Sequence, residues 1–172
     1  MIRNATSADL DAVVSVYDAV HDAEESGRTT TGWVRNIYPT CTTAQQGLQA
    51  GDLFVLEHEN RIVAVARINQ TQGAEYKQAH WSVDVDSRKV MVLHTLVVHP
   101  EYSGHGFGTR FVAFYEGYAA QQGCACLRLD TNIRNAAARA LYKKLGYTET
   151  SVVPCVFNGI DGVQLVCLEK LL

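Results

Sequence analysis

Glycine alternates with other residues in one short segment of the chain, Glu101-Tyr102-Ser103-Gly104-His105-Gly106-Phe107-Gly108-Thr109. Because glycine tolerates positive φ angles, the backbone there can turn sharply and direct successive N–H groups the same way. A helix that follows would add unpaired N–H groups and partial positive charge. The segment therefore predicts a pocket for a phosphate or pyrophosphate, with a simple chain reversal as the alternative.

Two common nucleotide motifs do not fit this spacing. A Walker loop ends in Gly-Lys-Ser/Thr, whereas Gly108-Thr109 contains no lysine. A dinucleotide-binding motif needs a further glycine where Thr109 or Phe111 stands. The glycines alone therefore indicate a phosphate site without naming its ligand.

A second segment with chemical potential runs from Asn135 to Tyr147. Asn135 is a good helix N-cap and Gly146 a good residue to follow a helix end. Asn135 and Tyr142 are seven residues apart, nearly two helical turns, so both project on the same side. A tyrosine with this spacing is by default a core residue, so Tyr142 alone does not indicate catalysis.

Strands and helices alternate around these two segments, which predicts an α/β (α+β) domain spanning residues 1–172. Residues 70–89 are ambiguous, since Trp81–Val85 alternates between flanks typical of loops. The first predicted helix opens at Thr6-Ser7 with Asp9 and runs through Val20. The other predicted helices cover Ala44–Ala50, Gly108–Gln122 and Ala136–Leu145. The predicted strands are Leu53–Glu57, Arg61–Asn69, Val90–His99 and Cys124–Thr131, with a closing hairpin around Asn158–Gly162.

Composition narrows the class of protein. The formal net charge of −3 argues against binding nucleic acid through bulk positive charge. No apolar run approaches the ~20 residues that span a bilayer, and the first residues do not read as a signal peptide. The five cysteines are odd in number and lack metal-ligand spacing. We expect a cytoplasmic protein without a metal site, with a small-molecule partner and no nucleic acid or membrane partner.

The two segments together resemble the GCN5-related N-acetyltransferase (GNAT) family. The resemblance rests on Leu96–Gly108 followed by Asn135-x-x-Ala138-x-x-Leu141-Tyr142-x-x-x-Gly146-Tyr147. It implies a mixed, mostly antiparallel central sheet flanked by helices, whose two central strands splay apart to bind acetyl-CoA. It also implies acetyl transfer from acetyl-CoA to a primary amine by direct attack in a ternary complex. A non-catalytic acyl-CoA sensor on the same fold is the alternative, and a homodimer remains open.

The resemblance assigns cofactor contacts residue by residue. Leu96 and Val98 would pair with the pantetheine arm through their backbone, and Asn135 would help to orient cofactor and water. Tyr142 matches the tyrosine that acts as general acid toward the departing thiolate, beside the cofactor. Ser103 is the cofactor-binding position that departs from the family pattern, which usually has a longer side chain there, and the backbone N–H groups after it are unaffected by this change. The pyrophosphate would lie on the turn formed by Gly104, His105, Gly106, Phe107, Gly108 and Thr109.

His94 is the candidate general base. It stands two and four residues before Leu96 and Val98, which predicts that all three lie on one side of the strand. It resembles the strand histidine of arylalkylamine N-acetyltransferases, and we expect a pKa near its ordinary value of about 6.5. The alternative is a buried, hydrogen-bonded core histidine.

The acceptor amine is expected to meet aromatic and acidic residues from the variable parts of the chain. Glu75 or Asp84 could pair with its charge, although each of these positions could equally be core or surface. A small molecule or a peptide N-terminus would suit as acceptor. The candidate pocket residues are Trp33, Tyr38, Glu75, Tyr76 and Trp81.

Overall fold

The computed structural model describes residues 1–172 as one seven-stranded sheet with four α-helices. The strands are β1 (Ile2–Asn4), β2 (Leu53–His58), β3 (Arg61–Asn69), β4 (Val90–Val98), β5 (Cys126–Asn132), β6 (Thr148–Phe157) and β7 (Ile160–Leu171). The helices are α1 (Leu10–Glu25), α2 (Cys41–Ala50), α3 (Phe107–Gln121) and α4 (Ala136–Lys144). No helix is both long enough and apolar enough to span a membrane.

The strands are arranged in the order β1-β2-β3-β4-β5-β7-β6. All neighbouring strands are antiparallel except β4 and β5, which are parallel. The prediction of a mixed, mostly antiparallel sheet flanked by helices is therefore confirmed. The strand β1 was not predicted, because its three residues are too few to show a period.

The two parallel strands separate after four residue pairs. Val90–Leu93 of β4 pairs with Cys126–Leu129 of β5, and no pairing continues beyond Leu93. On its other edge β4 remains paired with β3, where His99 donates its N–H to the Val63 carbonyl at 2.8 Å. Because backbone groups alternate along an antiparallel strand, the N–H and C=O of Val98 point into the gap between β4 and β5.

A β-bulge lies inside β4 at the point of separation. Thr95 has a φ of 54°, and the register with β3 shifts so that His94 pairs with Arg67 whereas Val98 pairs with Ala64. Arg67 packs against α2, while Leu96 and Val98 pack on the core beneath α3. The prediction that His94 shares a side with Leu96 and Val98 is therefore wrong, because the extra residue of the bulge reverses the alternation.

Apolar clusters cover both faces of the sheet. One joins α3 and α4 to the sheet and includes Phe111, Tyr115, Leu127 and Leu129. The other joins α1 and α2 to the sheet, with Val13, Val16, Tyr17 and Val20 contributed by α1. Their i, i+3, i+4 and i+7 spacing gives α1 one continuous apolar stripe.

The ambiguous segment 70–89 contains two short 3₁₀ turns and no strand. A buried ion pair between Arg128 and Glu169 anchors it. Arg128 donates to the Val83 carbonyl at 3.2 Å, and Glu169 accepts the Ser82 N–H at 2.9 Å. The Trp81 ring lies 4.1 Å from the Arg128 guanidinium, a cation–π contact.

Candidate active site

A cavity of about 340 Å³ lies where β4 and β5 separate. Strand alternation places Asp130 on the same face as Cys126 and Arg128, whereas Tyr142 comes from α4 on the opposite face. The cavity therefore passes through the gap between the strands. Its walls include Trp33, Tyr38, Arg67, Glu75, Leu93, His94, Thr95, Leu96, Asp130, Asn132, Asn135 and Tyr142.

The loop after α1 forms one wall of the cavity and carries Trp33 and Tyr38. The Glu24 carboxylate accepts the N–H groups of Thr31 at 2.7 Å and Gly32 at 3.0 Å, which ties the loop to α1. Gly32 has a φ of 77° and lies directly against the Asn132 amide, where a Cβ would collide. Only glycine satisfies both conditions, so the loop can close against β5.

Tyr142 combines a core ring with a hydroxyl at the cavity. Its ring packs edge-on against Tyr147, with centroids 5.8 Å apart, and its hydroxyl makes no hydrogen bond within the protein. Burial, and secondarily the charge of Asp130, raises the pKa of Tyr142. The hydroxyl therefore stays protonated at neutral pH and can donate a proton.

Asn135 reaches the same cavity from the start of α4. Its Oδ1 accepts the Ala138 N–H at 3.2 Å, the N-cap bond that the sequence predicts. Its Nδ2 makes no hydrogen bond within the protein. The side chain therefore fixes the helix start and still presents two donors.

Asp130 is the residue that sequence analysis missed. It is the first residue of β5 beyond the pairing with β4, and its Oδ2 accepts the Tyr76 hydroxyl at 2.8 Å. Burial raises the pKa of Asp130 to about 6, with a further contribution from Glu75, while the Tyr76 hydrogen bond acts in the opposite direction. An acid in an otherwise buried strand is a signal that the sequence does contain.

His94 lines the cavity within a polar chain. Its Nε2 is 3.1 Å from Asn69 Oδ1, and Asn69 Nδ2 donates to Asp52 at 2.6 Å. Since Asn69 Oδ1 can only accept, Nε2 carries the hydrogen. Burial, and then the charge of Arg67, lowers the pKa of His94 to about 4. The expectation of an unshifted pKa is therefore wrong, and His94 is neutral at neutral pH.

The residues predicted for the acceptor divide into two groups. Trp33, Tyr38 and Glu75 line the cavity. Tyr76 and Trp81 do not, so the structure corrects their prediction as pocket walls: Tyr76 is buried behind Asp130, and Trp81 Nε1 donates to the Tyr76 carbonyl at 3.0 Å. That a residue is aromatic does not tell whether it lines the cavity, as Trp33 does, or packs behind the cavity wall, as Tyr76 does.

Asp84, the second acid considered as an amine counter-ion, is exposed and outside the cavity. The acids that do line the cavity are Glu75 and Asp130.

The glycine turn lies between the end of β4 and the start of α3. Gly104 and Gly106 have φ values of 80° and 77°, and a Cβ on either would meet no atom within 4 Å. The N–H of His105 reaches the Tyr102 carbonyl at 3.5 Å, and the Ser103 side chain is exposed. The five other N–H groups of the turn make no hydrogen bond within the protein, namely those of Gly104, Gly106, Phe107, Gly108 and Thr109. Five free donors at a helix start fit a pyrophosphate.

Comparison with known proteins decides the family. The model of the Acetyltransferase (GNAT) family matches residues 15–147. The chain belongs to the GNAT family. An uncharacterized N-acetyltransferase of Methanocaldococcus jannaschii is 25% identical over 153 residues, which cover 88% of this chain. The chain spans 62% of that relative's length.

Solved structures share this GNAT chain's fold. A GNAT-family acetyltransferase from Streptococcus agalactiae superposes with a TM-score of 0.82 at 19% identity, covering 100% of this chain and 95% of that one. YncA from Salmonella typhimurium, solved with its cofactor acetyl-CoA, gives a TM-score of 0.72 at 19% identity, covering 99% and 92%. In the GNAT chain described here, the cavity and the glycine turn lie at two ends of the same unpaired stretch of β4.

Proposed function

We propose that this protein transfers the acetyl group of acetyl-CoA to a primary amine within a ternary complex. The observation that carries the proposal is the gap between β4 and β5. It leads from the free N–H groups of the glycine turn to a cavity where Tyr142 and Asp130 approach from opposite faces. The acetyl-CoA bound by YncA supports the choice of cofactor.

The residues of the turn and of β4 would hold the cofactor. The five free N–H groups from Gly104 to Thr109 would bind the pyrophosphate, with Ser103 adding at most one neutral hydrogen bond. The backbone groups of Leu96 and Val98 would pair with the pantetheine arm, and the Asn135 amide would help to orient the cofactor and water. When bound, acetyl-CoA supplies a thioester whose carbonyl carbon an amine can attack.

Asp130 is assigned as the general base in preference to His94. A base works best when its pKa lies near the operating pH, and the pKa of Asp130 is about 6 whereas that of His94 is about 4. The amino group releases one proton to solvent and attacks as the neutral amine. As the N–C bond forms and the C–S bond breaks, Asp130 accepts the second proton of the nitrogen. His94 then acts as a neutral wall residue, held by Asn69.

Tyr142 is assigned as the general acid. Its hydroxyl is protonated, reaches the cavity and has no competing partner in the protein. It donates its proton to the sulfur that departs, which balances the proton taken by Asp130.

The test is release of free thiol from acetyl-CoA over a panel of primary amines. Tyr142→Phe removes one oxygen and keeps the ring packing, so we expect kcat to fall by roughly 10- to 10³-fold with unchanged affinity for CoA. Tyr118→Phe, a partly buried tyrosine of α3 outside the cavity, is the matched control. Binding of acetyl-CoA without turnover of any amine would refute the proposal and identify a sensor.

A further inference from the structure

Arg67 is a charged residue of the cavity wall that the proposed chemistry does not use. Its Nε and Nη2 atoms each donate to the Asp52 carboxylate at 2.8 Å, and Nη1 makes no hydrogen bond within the protein. The side chain lies close against Gly47, where a Cβ would be only 3.2 Å from its Cδ. The guanidinium is therefore held in place with one nitrogen left free.

The opposite charge lies elsewhere in the same cavity, on Asp130 and Glu75. The Tyr38 hydroxyl bonds the Thr95 hydroxyl, and Tyr38 and Thr95 line the same cavity as Arg67, Glu75 and Asp130. Burial raises the pKa of Tyr38 most, and Asp130 raises it further, whereas Arg67 lowers it. The positive charge of Arg67 and the negative charge of Asp130 therefore both act on the Tyr38 hydroxyl.

We propose that the acceptor is a free amino acid, with its ammonium group at Asp130 and Glu75 and its carboxylate on Nη1 of Arg67. This inference rests on the proposed function and names its substrate class. A carboxylate accepts charge-assisted bonds from a guanidinium, and an ammonium group donates to carboxylates. The cavity, at about 340 Å³, lies near the lower limit for ligand pockets, which suits a molecule of this size.

The test compares three acceptors that differ at one group: an amino acid, its uncharged amide, and the amine that lacks the carboxylate. With the wild-type enzyme we expect kcat/KM for the amino acid to exceed that of both others by about 10- to 100-fold, the effect of a charge-assisted hydrogen bond. Arg67→Lys keeps a charge beside Asp52 and loses the planar fork, so this ratio should collapse toward one. Arg61→Lys, at the exposed start of the same strand, should preserve the ratio.

Binding gives a readout independent of turnover. Of the two tryptophans only Trp33 lines the cavity, so binding of the amino acid should quench part of the tryptophan fluorescence. This binding should be weaker in Arg67→Lys than in Arg61→Lys. Equal kcat/KM for all three acceptors would overturn the inference and leave acetyl transfer standing. Absence of turnover with every amine would overturn the proposed function itself. If Arg67→Lys does not fold, as urea denaturation would show, the wild-type ratio alone decides.

Discussion

Replacing Asp130 with asparagine should lower the activity of the protein and raise its stability at neutral pH. Asparagine has the same shape, and its Oδ1 can still accept the Tyr76 hydroxyl that Asp130 Oδ2 accepts at 2.8 Å. What the substitution removes is the negative charge and the ability to take a proton. We therefore expect kcat/KM to fall by about 10²- to 10⁴-fold, the usual contribution of a general base.

The same change should stabilise the fold at neutral pH. Burial raises the pKa of Asp130 from 3.8 to about 6, so the folded protein resists ionisation that the unfolded chain undergoes freely. The shift corresponds to about 3 kcal/mol of lost stability above pH 6, at 1.36 kcal/mol per pKa unit. The loss is complete above pH 6, shrinks as the pH falls, and is absent below pH 4. Asp130→Asn should therefore gain up to about 3 kcal/mol at pH 7 and nothing at pH 3.5.

Two measurements check this prediction. Urea denaturation between pH 3.5 and pH 8 gives the free energy of unfolding, and thiol release over the same range gives kcat/KM. The wild-type acidic limb should break near pH 6, and this break should vanish in Asp130→Asn. Asp84→Asn, an exposed aspartate outside the cavity, should match the wild type in both.

His94→Gln distinguishes the competing base. If His94 is the base, the acidic limb breaks near pH 4 and disappears in His94→Gln, while Asp130→Asn retains it. That result would refute the assignment of Asp130. An Asp130→Asn variant no more stable than the wild type at pH 7 would refute the account of its burial.

Two further predictions concern the glycine turn. Gly106→Val should abolish most CoA binding in a folded protein, because φ is 77° there and a branched side chain would displace the N–H groups around it. Calorimetric titration with CoA measures the affinity, and Gly117→Ala in α3 is the control. Ser103→Ala should weaken CoA binding by only ~0.5–1.5 kcal/mol, whereas Ser103→Arg should tighten it and make it more sensitive to salt. Complete loss of binding in Ser103→Ala would contradict a pyrophosphate site built from backbone N–H groups.

Local signals explain why much of the fold could be predicted. Asn135 and Gly146 mark the two ends of α4 through their own backbone preferences, and both work in the structure as predicted. The β-branched run of β4 and the glycines after it likewise depend on neighbouring residues alone. Features of this kind need no knowledge of the tertiary structure.

Contacts between distant residues explain what could not be predicted. Trp81 looks like a residue of an alternating strand, yet its position is set by Arg128 and Glu169, which are separated from it by at least 47 positions in the chain. Asp130 is a single acid in a buried strand, and only the separation of β4 from β5 turns it toward a cavity. Arg67 can present a free nitrogen to the cavity because Asp52 binds its other two nitrogens and Gly47 leaves space for its side chain.

The bulge at Thr95 shows most clearly how one residue decides the site. Without it, alternation along β4 would place His94 with Leu96 and Val98, and the neutral imidazole would face the side of α4. With it, His94 pairs with Arg67 on the face that also carries Asp130, while Leu96 and Val98 keep their side chains on the opposite face. The side chains proposed to bind the acceptor substrate thus lie on one face of the sheet, and the proposed proton donor Tyr142 lies on the other. A bulge inserts one residue without a strong sequence signal. A prediction that assumes strict alternation along β4 therefore places His94 on the wrong face of the sheet.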